Sequence, residues 1–173
     1  QNHIKIDSIA HRGPDNTSVT KSSNWKVHFC RLAINDLSSN GNQPFKLAKI
    51  IAFVNGEIYN SKLLRAKYFK DTNFISNSDC EVIPHLYKKF GINFIEKLDG
   101  MFSIVIIDDE LNKLYLIKDS FGKKPIYYTE QPFNFCSEAR LFKKDSKISK
   151  ENVCSLLSSH FKFYNQTIFE NIK

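Results

Sequence analysis

The segment Ile50–Phe69, IIAFVNGEIYNSKLLRAKYF, decides how this chain is read. An apolar run enters it, Asn55-Gly56-Glu57 interrupts it, and a helix-like pattern leaves it. Asn-Gly is a common hairpin turn, because both residues tolerate positive φ. A hairpin should return as an alternating strand, yet EIYNSKLLRAKYF becomes helical. We therefore expect a strand over 50–54, a turn at Asn55-Gly56-Glu57 and a helix over Ser61–Phe69. Strand-to-helix junctions often expose backbone N–H groups. An Asn amide beside a glycine N–H can aim two donors at one oxygen, and glycine lets that oxygen come close. Turn and oxyanion site both remain open from these residues alone.

Working outward, Ile4–Ala10 suggests the end of a helix, stopped by HRGPD, where Gly13-Pro14 breaks regular structure. WKVHFCRLAI (Trp25–Ile34) predicts a strand followed by a polar loop. In SDCEVIPHLYKKFG, Ser78 and Glu81 have capping-box spacing, and Val82, Leu86 and Phe90 share one helical face. INFIEKLDG adds a shorter helix. MFSIVIIDDELNKLYLIKD and KPIYYTEQPFNFCSE then predict two hairpins, apolar enough to be covered on both faces. Helical patterns return in SEARLFKK and SKENVCSLLSSHF. Antiparallel hairpins interspersed with helices indicate an α+β fold, two sheets stacked face to face with helices outside.

The chain has 173 residues, enough for one well-buried domain, with 42% hydrophobic residues and fifteen phenylalanines to fill it. Its formal charge of +7 comes mostly from lysines spread singly or in pairs, such as Lys88-Lys89 and Lys123-Lys124. Without a basic run or arginine-rich arm, a solvated surface is the better reading than nucleic-acid binding. Four cysteines lack C-x-x-C spacing and five histidines lack a ligand pattern, so free thiols in a reducing cytoplasm and no metal site are expected. No signal peptide or membrane-length apolar stretch is visible.

Only four arginines stand against twenty-one lysines, which makes each arginine informative. Arginine's planar fork grips a carboxylate with two parallel bonds and lysine's ammonium does not. Arg31 can be such a carboxylate binder or an ordinary strand-surface residue. Arg12, in HRGPD, is better read as fixing its loop. Asp79 is better read, by itself, as an acid meeting the dipole at a helix N-terminus, though it could also receive an ammonium. Arg31, Asn55-Gly56, Glu57 and Asp79 together supply a carboxylate binder, an oxyanion site and two acids. That set fits an α-amino acid whose side-chain carbonyl is attacked.

AHRGPD, RLAI, QPF, FVNGEIYN, SDCEV, LDGMFSIVIID, KDSFGKKPIYY and FCSEA occur in the order found in the glutaminase domain of glutamine-hydrolysing asparagine synthetases, and the chain resembles that family from about His11 to Phe142. The resemblance implies an N-terminal nucleophile hydrolase fold, a four-layer αββα sandwich, here incomplete at its N-terminus. It implies a glutaminase domain over 1–145 and a helical segment over 146–173 leading toward a synthetase domain. It further implies that glutamine is hydrolysed to glutamate and ammonia, and that the synthetase domain uses ATP and Mg to amidate aspartate. The glutaminase domain itself needs no cofactor, and the family often forms dimers. By resemblance, Asn55 and the Gly56 N–H form the oxyanion hole, Arg31 holds the substrate α-carboxylate, and Asp79 with Glu57 binds its α-amino group. The strand Arg31, Leu32, Ala33, Ile34 and Asn35 lines the pocket largely through its backbone.

This sequence departs from the family in three places. The family's nucleophile is an N-terminal cysteine whose own α-amine is the base. The 173 residues begin Gln1-Asn2-His3, inside the family's first helix, so they are expected to be inactive by themselves. Lys118 stands where the family typically has arginine, and the synthetase domain's Ser-Gly-Gly loop is missing. FENIK, lacking a capping feature, suggests a cut rather than a terminus. The rival reading is a glutamine-binding pseudo-glutaminase or partner-docking module.

Overall fold

A computed structural model describes residues 9–159 and 167–173, with the backbone alone at 143–145 and 159. The expected helix over 4–10 falls mostly outside them. The chain divides into two compact units, residues 1–124 and 125–173.

In the first unit the strongest apolar runs become the centre of a sheet. β4 (Ile50–Ile58) and β5 (Gly100–Asp108) pair antiparallel along their whole lengths, with Ile50 opposite Asp108 and Ile58 opposite Gly100. β3 (Phe45–Leu47) and β6 (Lys113–Lys118) flank them, giving the order β3-β4-β5-β6. Strand periodicity sends alternate side chains to opposite faces. Ala52, Val54, Ile58, Phe102, Ile104 and Ile106 meet the helical layer, where Val82, Ile83 and Leu86 are fully buried. Each such aliphatic side chain stabilises the fold by roughly 1.5–3 kcal/mol. That layer is α1 (Ser61–Tyr68) and α2 (Val82–Phe90), followed by a 3₁₀ helix over Gly91–Lys97. On the other face lies the ribbon of β1 (Asn16–Lys21) and β2 (Lys26–Arg31), with Phe29 packed against Phe53 at 6.0 Å between ring centroids.

This mixture of antiparallel sheets and helices is an α+β fold. Four local expectations are corrected. β4 does not turn at Asn55-Gly56-Glu57 but runs straight through to Ile58, because β5 is long enough to pair with all of it. β2 ends at Arg31, since the Leu32–Asn35 segment leaves the ribbon to line a pocket. Ser78 does cap, accepting from the Cys80 N–H, but Glu81 does not reach back to it. The Glu81 carboxylate instead accepts from the N–H groups of Ile75 (2.9 Å) and Ser76 (2.8 Å) and from the Ser76 hydroxyl (2.6 Å). Burial on both faces is continuous in β5 but not in β6, nor in the later strands over Tyr127–Glu130 and Phe133–Cys136.

The second unit contains the hairpin β7 (Tyr127–Glu130) and β8 (Phe133–Cys136), a 3₁₀ helix over Ala139–Asp145 and α3 (Lys150–Ser159). Its residues 167–173 tie back through Ser149 N–H to Ile168 O and Lys173 N–H to Tyr128 O, both 2.9 Å. Among the described residues no helix is long and apolar enough to cross a membrane.

Candidate active site

The pocket forms where β2 and β4 run out from under each other. Asn55 and Glu57 lie on the same face of β4 as Phe53, two and four residues on, so they project toward the β1-β2 ribbon. They line a cavity of about 230 Å³ together with Arg31, Gly56 and Asp79. That is below the roughly 300 Å³ at which pockets for drug-sized ligands begin, and suits a small metabolite.

The sheet edge explains why Gly56 presents a donor here. Phe102, opposite Gly56, turns both its N–H (3.2 Å, to Asp119 Oδ2) and its C=O (2.8 Å, from Asp119 N–H) toward β6. Gly56 is therefore a non-hydrogen-bonded partner of β5, and Val54, Gly56 and Ile58 all direct their polar groups to the opposite edge. At Val54 that edge is closed by the Gln43 side chain, whose Oε1 accepts from the N–H (2.6 Å) and whose Nε2 donates to the C=O (2.8 Å). At Ile58 it is closed by Asp79 Oδ2, accepting from the N–H at 2.6 Å. Between them the Gly56 carbonyl accepts the Cys80 thiol at 3.8 Å, and Gly56, whose N–H the register turns away from β5, lines the cavity. Gln43→Ala, which orphans both Val54 groups, is expected to cost about 2 kcal/mol in a denaturant titration.

Arg31 is buried, and its guanidinium gathers the following loop. Nη1 donates to Ser38 O (3.0 Å) and Asn42 Oδ1 (2.8 Å), and Nη2 to Asp36 O. These three bonds leave one Nη2–H and the Nε–H with no partner among the described hydrogen bonds. Gly41 is needed there, since a Cβ would press on Nη2. Asp79 Oδ1 accepts from Asn35 Nδ2 at 2.9 Å, so Asp79 is held from two sides. Arg65 supports this segment from behind, donating to the carbonyls of Ser76 (3.1 Å) and Ser78 while stacking 4.0 Å over Phe74.

Leu32, Ile34 and Asn35 line the cavity, and Ala33 is not among its lining residues. The Ala33 N–H is instead accepted by Asp15 Oδ2 at 2.7 Å. HRGPD thereby acquires its purpose: Asp15 N–H bonds Arg31 O at 3.0 Å, and Gly13 lies against the Cys30–Arg31 backbone too closely for any Cβ. Arg12 lines the cavity as well.

Gln43, Asp36 and Lys124 are among the cavity residues that the sequence did not single out. Gln43 and Asp36 act through partners distant in sequence, and no local spacing marks them. Lys124 is brought in by the loop that buried Asp119 organises, accepting from the N–H groups of Phe121, Lys123 and Lys124. Burial would raise the Asp119 carboxyl, but these backbone donors hold it below the usual range. The Asp36 carboxyl is also lowered, by the Ser38 hydroxyl and N–H and by the Asn77 N–H. Burial pushes the Cys80 thiol well up, with the Asp79 charge adding to it. Among the described residues no group of His, Cys, Asp and Glu gathers to hold a metal.

The glutamine amidotransferase domain family matches residues 3–173. Asparagine synthetase [glutamine-hydrolyzing] 2 of Bacillus subtilis is 48% identical over 126 residues, covering 72% of this chain and 17% of that protein. Amidase chry2 of Gibberella zeae is 42% identical over 128 residues, covering 72% and 19%. Asparagine synthetase [glutamine-hydrolyzing] 1 of Arabidopsis thaliana is 41% identical over 121 residues, covering 69% and 20%. The chain thus spans about a fifth of the length of these relatives. With Arg31, Gly56 and Asp79 lining one cavity, the chain belongs to the glutamine amidotransferase domain family.

Proposed function

We propose that this domain binds L-glutamine and that, in the natural full-length protein, it hydrolyses the side-chain amide to glutamate and ammonia. The ammonia passes to a synthetase domain, reached through residues 146–173, that uses ATP and Mg to amidate aspartate. The reading is carried by one observation: Arg31, Asn55, Gly56, Glu57 and Asp79, from three separate stretches of sequence, line one small cavity.

In this reading the remaining Arg31 donors take the α-carboxylate, while Asp79 and Glu57 take the α-ammonium. The amide carbonyl then points at the Gly56 N–H and the Asn55 side chain. Donors fixed before reaction stabilise the negative oxygen of a tetrahedral intermediate more than the neutral carbonyl, which is what lowers the barrier. The attacking group, by resemblance, is the thiolate of an N-terminal cysteine. Cys30, Cys80, Cys136 and Cys154 are all internal, without a free α-amine, and the raised Cys80 thiol is a poor nucleophile near neutral pH. The β1-β2 ribbon, the four-stranded sheet and the α1-α2 layer supply three layers of the four expected in an N-terminal nucleophile hydrolase sandwich. Four free thiols suit a reducing cytoplasm.

The test is release of glutamate, and of labelled ammonia from amide-labelled glutamine, by the full-length protein, alongside glutamine binding by calorimetry. We expect both, with Asn55→Ala lowering kcat about 10²–10³-fold while binding persists. Binding without release would leave a glutamine-binding module, and absence of both would overturn the assignment.

A further inference from the structure

Asp36 joins the two sides of the pocket. Its Oδ1 accepts from the Ser38 N–H (2.8 Å) and hydroxyl (2.6 Å), and its Oδ2 accepts from the Asn77 N–H at 2.8 Å. Its own carbonyl receives Arg31 Nη2. One buried residue therefore holds the loop that carries the Arg31 guanidinium and, forty-one positions away, the segment that carries Asp79. Asn77 is two residues before Asp79, so the Asp36–Asn77 bond reaches almost to the carboxylate at the other pole. Two further hydrogen bonds join these sides, Asn35 Nδ2 to Asp79 Oδ1 at 2.9 Å and Asn40 Nδ2 to Ile75 O at 3.3 Å.

We propose that Asp36 is a positioning residue that sets the distance between the cationic and anionic poles of the pocket, and so selects a ligand bearing a carboxylate and an ammonium on one carbon. This rests on the glutamine reading of the pocket. Neither pole touches the ligand through Asp36, so its removal leaves each pole present but lets their separation drift. A ligand that uses both poles then loses the advantage of meeting two pre-spaced partners at once, whereas a ligand using one pole does not.

The experiment uses the full-length protein and three ligands: L-glutamine, glutaramate, which lacks the α-amine, and the amide of γ-aminobutyrate, which lacks the α-carboxylate. In the unsubstituted protein glutamine should bind more tightly than either analogue. Asp36→Asn keeps the shape but turns an amide NH₂ toward a backbone donor. It should weaken glutamine by about tenfold or more and each analogue by less than about twofold. Equal weakening of all three ligands would show a general structural role and overturn the proposal, as would unchanged glutamine binding. If Asp36→Asn does not fold, Ser38→Ala, which removes one donor to the same carboxylate, decides the matter. It should weaken glutamine by about threefold with the analogues unchanged, and parallel losses would again overturn the proposal. Failure of the unsubstituted protein to prefer glutamine over the analogues would instead sink the glutamine reading itself.

Discussion

Gly56→Ala is expected to destabilise the domain by at least about 3 kcal/mol, which for a chain of this size lowers Tm by roughly 6–12 °C. Gly56 has φ +148°, a conformation that L side chains rarely adopt, although it lies inside a strand. A Cβ there would overlap the Met101 carbonyl oxygen and lie 2.7 Å from the Phe102 Cα. Both are backbone atoms of β5, the most continuously buried strand, so neither can step aside without breaking the register from Ile50 to Ile58. Thermal melts and denaturant titrations of the two proteins measure the effect. A Tm within about 2 °C of the parent would show that the approach of β5 is softer than argued. Because the same glycine lines the cavity with its N–H turned away from β5, the substitution should also abolish glutamate release under conditions where the variant is still folded.

The second large effect is expected at Arg31. In Arg31→Lys a single ammonium replaces a fork that spans three acceptors, Ser38 O, Asn42 Oδ1 and Asp36 O. One nitrogen cannot reach all three, and each partner left without a donor in a buried site costs roughly 1–3 kcal/mol. We expect a net destabilisation of about 2–4 kcal/mol, with the loop over 36–42 loosened. Glutamine binding should fall by about a hundredfold, because the carboxylate loses a bidentate partner as well as a fixed one. Denaturant titration and calorimetry separate the two. Full retention of affinity in a folded Arg31→Lys would remove Arg31 from the carboxylate role and leave it as a loop anchor.

The hairpins and helices were legible because they rest on patterns internal to short segments. The turn Asp109–Asn112 between β5 and β6, the hairpin over Tyr127–Cys136 and the apolar face of α2 need no distant partner to be read. The reading failed where a distant partner overrides local preference. Asn55-Gly56 has strong turn chemistry, yet it is strand because Met101–Ser103 pairs with it. Ser78 and Glu81 have capping-box spacing, yet Glu81 is drawn away by the Ile75 and Ser76 N–H groups. Asp36 and Gln43 were invisible for the same reason, since each finds its decisive partner at Asn77 or Val54.

The sequence by itself determined the α+β class, the order of the main elements, and the residue types for a carboxylate, an ammonium and a developing oxyanion, because periodicity and side-chain chemistry are properties of short stretches. Only the tertiary structure decided that these residues share one cavity and that Ala33 does not line it. It alone showed that Gly56 turns its polar groups away from β5 and lines that cavity. Whether a backbone donor is spent in a ladder or left at an edge depends on which strand lies opposite and in what register, and here that partner lies almost fifty residues further along the chain.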